Sequence, residues 1–498
     1  MLATWFSADH KETDISVQSI LYVTSILVYN IYFHPLRNYP GPKIWAASRI
    51  PYALMIISGH SHKRVLQLHE QYGEVVRIAP DELAFISPEA WHNIMGHRKQ
   101  GQGENGKDPL FWEPQPNAII AASRENHGRL RRVLAHGFSS QAIMDQQPLV
   151  RRYVDLLIER LRERCKDGTE PVGMVSWYNW TTFDIIGDLV FGESFGCLEG
   201  SDYHPWVKFI FDAVRINAIQ TMFRRWTVTR FCLRWFLPKS LMERAFKHRK
   251  LSEEKVAQRL GLGHSRPDFM EAMSHPKAGL SMTMPEIIDN AKFLILAGSE
   301  TTATALSGAT HLLATHPEVL AKLEQEVRTS FIDESQIDLI TVQRLDYMLA
   351  VLNEAMRFYP PVPTPPLRVT QPQGDTILGH YVPGGTLLGI WQWPMYHSPK
   401  NFTLPDAFAP ERWLGDPRFA GDRIQALQPF SVGPRNCIGK NLAYAEMRMI
   451  LARIIWNFDL RLVEPDFNWF DANKTYVLWE KPEYHMYLTP RDMSKKVS

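Results

Sequence analysis

Near the C-terminal end of this 498-residue chain, one cysteine stands in the run Phe430-Ser431-Val432-Gly433-Pro434-Arg435-Asn436-Cys437-Ile438-Gly439-Lys440. A helical stretch, Asn441-Leu442-Ala443-Tyr444-Ala445-Glu446-Met447, follows at once. The run puts Cys437 at the mouth of a helix, where positive potential favours the thiolate over the thiol. Backbone N–H groups of such a turn can point at the sulfur and set its donor strength. Gly433 and Gly439 permit tight turns and the close approach of a flat ligand. A thiolate so placed suits the axial position of a haem iron, onto which it pushes electron density. The bland alternative is a buried structural cysteine beside a glycine turn.

A second segment reads as a long helix. Thr283-Met284-Pro285-Glu286 is a capping box with proline in the first turn. The helical pattern then runs unbroken to His316, where Pro317 ends it. The span is about 30 residues, or about 45 Å. Inside it lies Ala297-Gly298-Ser299-Glu300-Thr301-Thr302. A mid-helix glycine costs about 1 kcal/mol relative to alanine. It also leaves a gap on one face, where a flat cofactor can lie. Glu300 and Thr301 offer an acid beside a hydroxyl, and a hydroxyl holding water near a carboxylate can relay protons. Alone, the hexapeptide also reads as a kinked helix with an exposed glutamate.

Two further runs lie between. Glu354-Ala355-Met356-Arg357 sets a carboxylate and a guanidinium three apart, on one helix face. Phe408-Ala409-Pro410-Glu411-Arg412-Trp413 follows downstream. Taken singly, the first is a common surface pair.

Together these four runs resemble the cytochromes P-450, the haem-thiolate monooxygenases, and the resemblance covers essentially the whole chain. It implies a mainly α, triangular helical haem domain with small β-sheets. It implies heme b with Cys437 as the axial thiolate. By resemblance, Thr301 is the oxygen-activating alcohol and Glu300 its acidic neighbour. Glu354, Arg357 and Arg412 interlock behind the cysteine loop in a structural role. The last residue of the second run is Trp413 where the family usually has phenylalanine.

Haem carries two carboxylates, which need cationic or hydrogen-bonding partners when buried. Arg435 lies two residues before the cysteine. His127 and Arg131 share a helix face at i,i+4, and Arg368 stands in Pro365-Pro366-Leu367-Arg368-Val369. These four are expected at the propionates, with Gly298, Phe430 and Gly439 also against the cofactor. Arg129, Arg132 and Lys440 offer a basic face for an acidic electron donor.

The N-terminal part reads as an anchor. Residues 15–33 contain no charged side chain and come near the minimum for a membrane span. The Pro-rich stretch His34-Pro35-Leu36-Arg37-Asn38-Tyr39-Pro40-Gly41-Pro42 cannot continue a helix and forms a stiff hinge. Basic residues follow the apolar segment and acidic ones precede it, which places the body in the cytosol. The expected order is a lumenal 1–14, a transmembrane 15–33, a hinge 34–48 and a catalytic domain 49–498, in the endoplasmic reticulum membrane. Residues 221–250 mix arginine and lysine with aromatic residues and read as a second membrane contact.

Formal charge is +2, so no global bias points to nucleic acid. Cys165, Cys197, Cys232 and Cys437 are widely spaced, which argues against a disulfide framework or a zinc site. The sequons at Asn179, Asn401 and Asn473 are expected to be unmodified. No dinucleotide or flavin fingerprint occurs, so electrons must come from another protein. Resemblance implies NADPH through a separate NADPH–cytochrome reductase, with cytochrome b5 as a second donor.

The implied reaction places one atom of dioxygen in a substrate and releases the other as water. The expected pocket walls are Ile119, Ile120 and Ala121; Phe293, Ala297 and Thr301; Val362 to Leu367; and Val477 to Trp479. They are largely apolar, so a lipophilic small molecule is expected. The hinge, the helix motif and the Trp413 form resemble fungal secondary-metabolism members such as trichothecene hydroxylases, which suggests a terpenoid or polyketide intermediate. The rival readings are a haem-thiolate isomerase, dehydratase or reductase that uses no dioxygen, and a non-catalytic haem-binding protein.

Overall fold

The computed structural model describes residues 3–99, 102–112, 116–226, 229–230, 239–262, 266–274 and 280–491. Helices dominate. Those that position the site are α1 (Ala3–Tyr32), α2 (Arg124–Leu134), α3 (Ser140–Cys165), α4 (Met174–Phe191), α5 (Met284–Thr315), α6 (Pro317–Ser330), α7 (Asp346–Phe358) and α8 (Lys440–Asn457). The capping box forms as expected, with Thr283 N–H donating to the Glu286 carboxylate at 2.8 Å. α5 runs 32 residues and stops where Pro317 follows.

The main core lies along α4 and α5. Nearly every residue of α4 is buried, as its apolar, aromatic composition requires of a helix covered on all sides. The small polar residues Asn179, Thr181, Thr182 and Asp184 are buried with it and are hydrogen-bonded locally. α3, α7 and α8 complete this core.

The sheets are small. β1 (Val75–Ala79) and β2 (Glu82–Phe85) form an antiparallel hairpin. They join β3 (Gly106–Lys107), β5 (Arg368–Val369) and β8 (Leu387–Ile390) in the order β1-β2-β8-β5-β3. β4 (Val172–Gly173), β9 (Phe458–Leu462) and β12 (His485–Pro490) form a second sheet. β6 (Asp375–Ile377) pairs β7 (His380–Val382), and β10 (Lys474–Tyr476) pairs β11 (Leu478–Glu480). Lys107 sits opposite Arg368 across the β3–β5 pair.

Three expectations meet a specific outcome here. Among the described residues no helix is long and apolar enough to cross a membrane, although α1 spans the predicted anchor. The sequon asparagines are buried, at 2%, 1% and 0% exposure for Asn179, Asn401 and Asn473, which leaves no room for a glycan. In the basic stretch 221–250, expected as a second membrane contact, two arginines are tied to the body instead. Arg225 is buried and pairs with buried Asp108 at 2.5 Å, and Arg224 donates to Leu110 O at 3.3 Å. Phe231, Arg234, Trp235 and Phe236 lie outside the described residues.

Candidate active site

The cysteine loop is shaped by its glycines and closed by its own backbone. Cys437 N–H donates to Phe430 O at 2.9 Å. Gly433 adopts φ 77°, and a Cβ there would lie 2.0 Å from Met95 O, so only glycine fits. The loop feeds directly into α8. The backbone N–H groups of Gly439 and Lys440 and the Arg131 guanidinium add positive potential at the Cys437 sulfur. Burial pushes the thiol pKa up, and these three interactions oppose that shift. Cys437 is exposed, so a ligand can reach it. A Cβ on Gly439 would come within 3.9 Å of that sulfur and 3.6 Å of the Phe138 ring. Phe430 packs on Tyr444 with centroids 5.1 Å apart.

The brace behind the loop is fully wired. Arg357 binds Glu354 through two bonds of 2.9 and 2.8 Å, and both side chains have no exposed surface. Its remaining donors reach Tyr396 O at 3.0 Å, Pro405 O at 2.6 Å and Ala407 O at 2.8 Å. Arg412 approaches Glu354 at 3.3 Å and pairs with Asp422. Trp413 adds its indole N–H to Glu354 at 2.9 Å. Tyr396 passes the brace to the cysteine loop, because its hydroxyl accepts from Gln428 N–H at 3.0 Å. A buried pair with every donor satisfied holds geometry rather than adding much net stability.

The cationic residues divide into two groups. Arg131 donates to Asn436 O at 2.6 Å and to Asn436 Oδ1 at 2.5 Å, so it braces the residue before Cys437. Arg435 pairs with Glu104 at 2.5 Å and also donates to Ala122 O at 2.9 Å. Arg368 is buried with no carboxylate bond; it reaches Met95 Sδ at 3.1 Å and Asn105 O at 3.4 Å. Burial, then the nearby Arg435, lowers its pKa to about 10. His127 is buried beside Arg435 and Arg131, and burial first lowers its pKa to about 4.

Sequence reasoning missed Lys107 and Glu104. Burial, with Arg368 and Arg435 close by, drives the Lys107 pKa well down. Lys107, His127, Arg368 and Arg435 all face Glu104, one acid among four basic groups. That excess of donors, with Arg368 and His127 buried, fits a group carrying two carboxylates, as a haem does. Together with the exposed Cys437, it fits haem with that cysteine as ligand. The local signal was weak, since Glu104 and Lys107 lie in a glycine-rich loop and only the pairing with Arg368 brings them in.

Two predicted features differ. The gap expected over Gly298 is filled: a Cβ there would lie 2.7 Å from Ile186 Cδ1 of α4. Gly298 therefore allows two helices to approach closely, rather than making room for a flat cofactor. Glu300 and Thr301 do not touch. Thr301 Oγ1 donates to Ala297 O at 2.6 Å, while the Glu300 carboxylate pairs with Lys481 and accepts from Thr304 Oγ1 at 3.2 Å. Successive side chains on a helix point about 100° apart, which separates them. Of the basic face, Arg132 and Lys440 are exposed, whereas Arg129 is tied to Glu286.

The cytochrome P450 family model matches residues 40–487. The chain is 46% identical over 476 residues to trichothecene C-15 hydroxylase of Fusarium sporotrichioides, covering 95% of this chain and 96% of that protein. It is 47% identical over 487 residues to averantin hydroxylase of Dothistroma septosporum, covering 96% and 91%. Cytochrome P450 monooxygenase tpeC of Talaromyces stipitatus is 47% identical over 468 residues, covering 93% and 92%. With the thiolate loop, the brace and this similarity along nearly its whole length, the chain belongs to the cytochrome P450 family.

Proposed function

We propose that the protein is a haem-thiolate monooxygenase of fungal secondary metabolism that hydroxylates a lipophilic intermediate of terpenoid or polyketide type. The observation that carries this reading is Cys437, which is exposed at the mouth of α8, where the N–H groups of Gly439 and Lys440 and the Arg131 guanidinium favour its thiolate. The haem, when bound, supplies dioxygen activation and the transfer of one oxygen atom to the substrate, the other leaving as water.

Every other task falls to the chain. Cys437 donates to the iron, and the N–H groups of Gly439 and Lys440 set how strongly. Arg368, Lys107, Arg435 and His127 hold the propionates. Thr301 positions a water with its hydroxyl, and Glu300 supplies the proton that this water passes on. Two expected wall segments meet where Thr364 Oγ1 donates to Val477 O at 3.3 Å.

Electrons come from NADPH through a separate reductase, with cytochrome b5 as an accessory donor; exposed Arg132 and Lys440 suit an acidic docking face. The body lies on the cytosolic side of the endoplasmic reticulum membrane. Exposed apolar side chains support membrane association, among them Ile20, Leu21, Tyr22 and Phe33 on the N-terminal arm and Ile44 and Leu54 beside it. The arm is fastened to the body, with Asn30 Nδ2 donating to Ala47 O at 2.8 Å and Arg77 Nη1 to Asn30 O at 2.9 Å.

The test is turnover under isotopically labelled dioxygen, with candidate substrates chosen by metabolite profiling of a strain lacking the protein. The product is expected to carry one labelled atom. An unlabelled product would assign the protein to the isomerase, dehydratase or reductase class.

A further inference from the structure

Asn290 stands where an apolar residue would serve the helix better. It lies in the first half of α5 and has no exposed surface. Asparagine is a weaker helix former than alanine or leucine, and a buried amide costs free energy unless it is hydrogen-bonded. Asn290 Nδ2 donates to Glu286 O, one turn back, at 2.8 Å and to Asn117 O at 3.2 Å, while its Oδ1 accepts from Ile119 N–H at 2.8 Å. The bonds to Asn117 and Ile119 leave the helix, and both go to one segment of loop.

That segment, residues 117–122, is a strap built of turns. Within it, Ala121 N–H donates to Ala118 O at 3.0 Å and Ala122 N–H to Ile119 O at 3.4 Å. The Ile119 N–H finds its acceptor on α5 rather than inside the strap. A second tie runs beside the first: Asn117 Nδ2 donates to Asp289 Oδ2 at 2.9 Å, and Asp289 pairs with Lys292 at 2.7 Å. The other end of the strap is fastened to the cysteine loop, where Arg435 Nη1 donates to Ala122 O at 2.9 Å. Ala118, Ile119 and Ala122 are buried, and Ile119 belongs to the main core. Ile120 and Ala121 remain half-buried, which leaves them able to meet a ligand.

We propose that Asn290 is a positioning residue for substrate selection, pinning the strap 117–122 to α5 so that Ile120 and Ala121 stand at a fixed depth in the pocket wall. The proposal rests on the reading of residues 119–121 as pocket wall. A segment of turns has few backbone bonds of its own, so its anchors decide where it lies. Asn290 sets the strap against the helix that carries Thr301, about 16 Å further along the same rigid element. Arg435 sets it against the loop that carries Cys437. The wall is thereby referenced to both. Asn290 acts through the strap backbone and needs no contact with substrate. A bulky lipophilic ligand is selected by such a wall, and a small one is not.

The test titrates the full-length, haem-loaded protein with two nitrogen ligands of the iron and reads the shift of the haem absorbance. Imidazole is small enough to reach the iron without the wall. Clotrimazole is bulky and lipophilic and must pack against it. In Asn290→Leu the clotrimazole Kd should rise about tenfold, the scale of the bonds lost, while the imidazole Kd and the reduced, carbon-monoxide-bound spectrum stay unchanged. Hydrogen exchange gives a second readout: peptides covering 117–122 should exchange about tenfold faster, with α4 unchanged. A purely structural role would lower the unfolding midpoint without moving the ratio of the two Kd values. The proposal is overturned if that ratio stays at the wild-type value, or if 117–122 keeps its protection. Ile120→Ala separates the layers. If it shifts the clotrimazole Kd while Asn290→Leu does not, the wall reading stands and the role of Asn290 falls; if neither variant shifts it, both fall. Should Asn290→Leu fail to bind haem, Asn117→Ala, which removes the parallel tie to Asp289, carries the same comparison.

Discussion

Trp413 donates its indole N–H to Glu354 Oε2 at 2.9 Å, inside the same carboxylate that binds Arg357 and Arg412. The residue that departs from the usual phenylalanine thus adds a donor to the brace. Glu354 accepts from Arg357, Arg412, Trp413 and the Ala409 backbone, which leaves its buried charge well compensated.

Trp413→Phe should therefore destabilise the protein although it restores the commoner residue. Losing one hydrogen bond to a buried charge costs about 1.5–3 kcal/mol. Urea unfolding followed by haem absorbance measures this, and an unchanged midpoint would remove Trp413 from the brace.

Cys437→Ala should abolish the thiolate signature in the reduced, carbon-monoxide-bound spectrum, even in variant protein that retains haem. Persistence of that signature would mean that another residue is the ligand.

Haem retention should depend on Arg368, which the sequence pointed to, and on Lys107, which it did not. Arg368→Met removes a buried donor and Lys107→Met a half-buried one, neither with a carboxylate bond in the structure. Each should speed haem transfer to an apo-globin acceptor about tenfold, the scale of one lost hydrogen bond to a charge. His127→Phe should do less at neutral pH, because burial beside Arg435 and Arg131 keeps that imidazole uncharged. Equal loss rates in wild type and both variants would place the propionates elsewhere.

Glu446 gives a pH dependence with a definite sign. Burial in α8 raises its pKa to about 8 from the ordinary 4.5. Between those values the folded state keeps a proton that the unfolded chain releases, so this group lowers stability as pH rises from about 4.5 to about 8. The effect is up to about 1.4 kcal/mol per pH unit within that window. Glu446→Gln should thus stabilise the protein at pH 8 and have no such effect near pH 4. Thermal unfolding across that range checks it, and parallel curves for the two proteins would show that Glu446 ionises normally.

What was legible in the chain was what short-range chemistry dictates. The capping box and Pro317 bound α5. Gly433 and the run into α8 shape the cysteine loop, and Glu354 with Arg357 share a helix face. All are relations within a turn or two of backbone, where spacing alone sets contact. The tertiary structure decided the rest. Whether Gly298 opens a gap or admits a neighbour depends on Ile186, more than a hundred positions away. Whether Glu300 faces Thr301 depends on Lys481, and whether Lys107 joins the cation cluster depends on a strand pairing with Arg368. A buried charge or a helix face is given its role by whatever packs against it, and that partner is chosen by the fold rather than by local sequence.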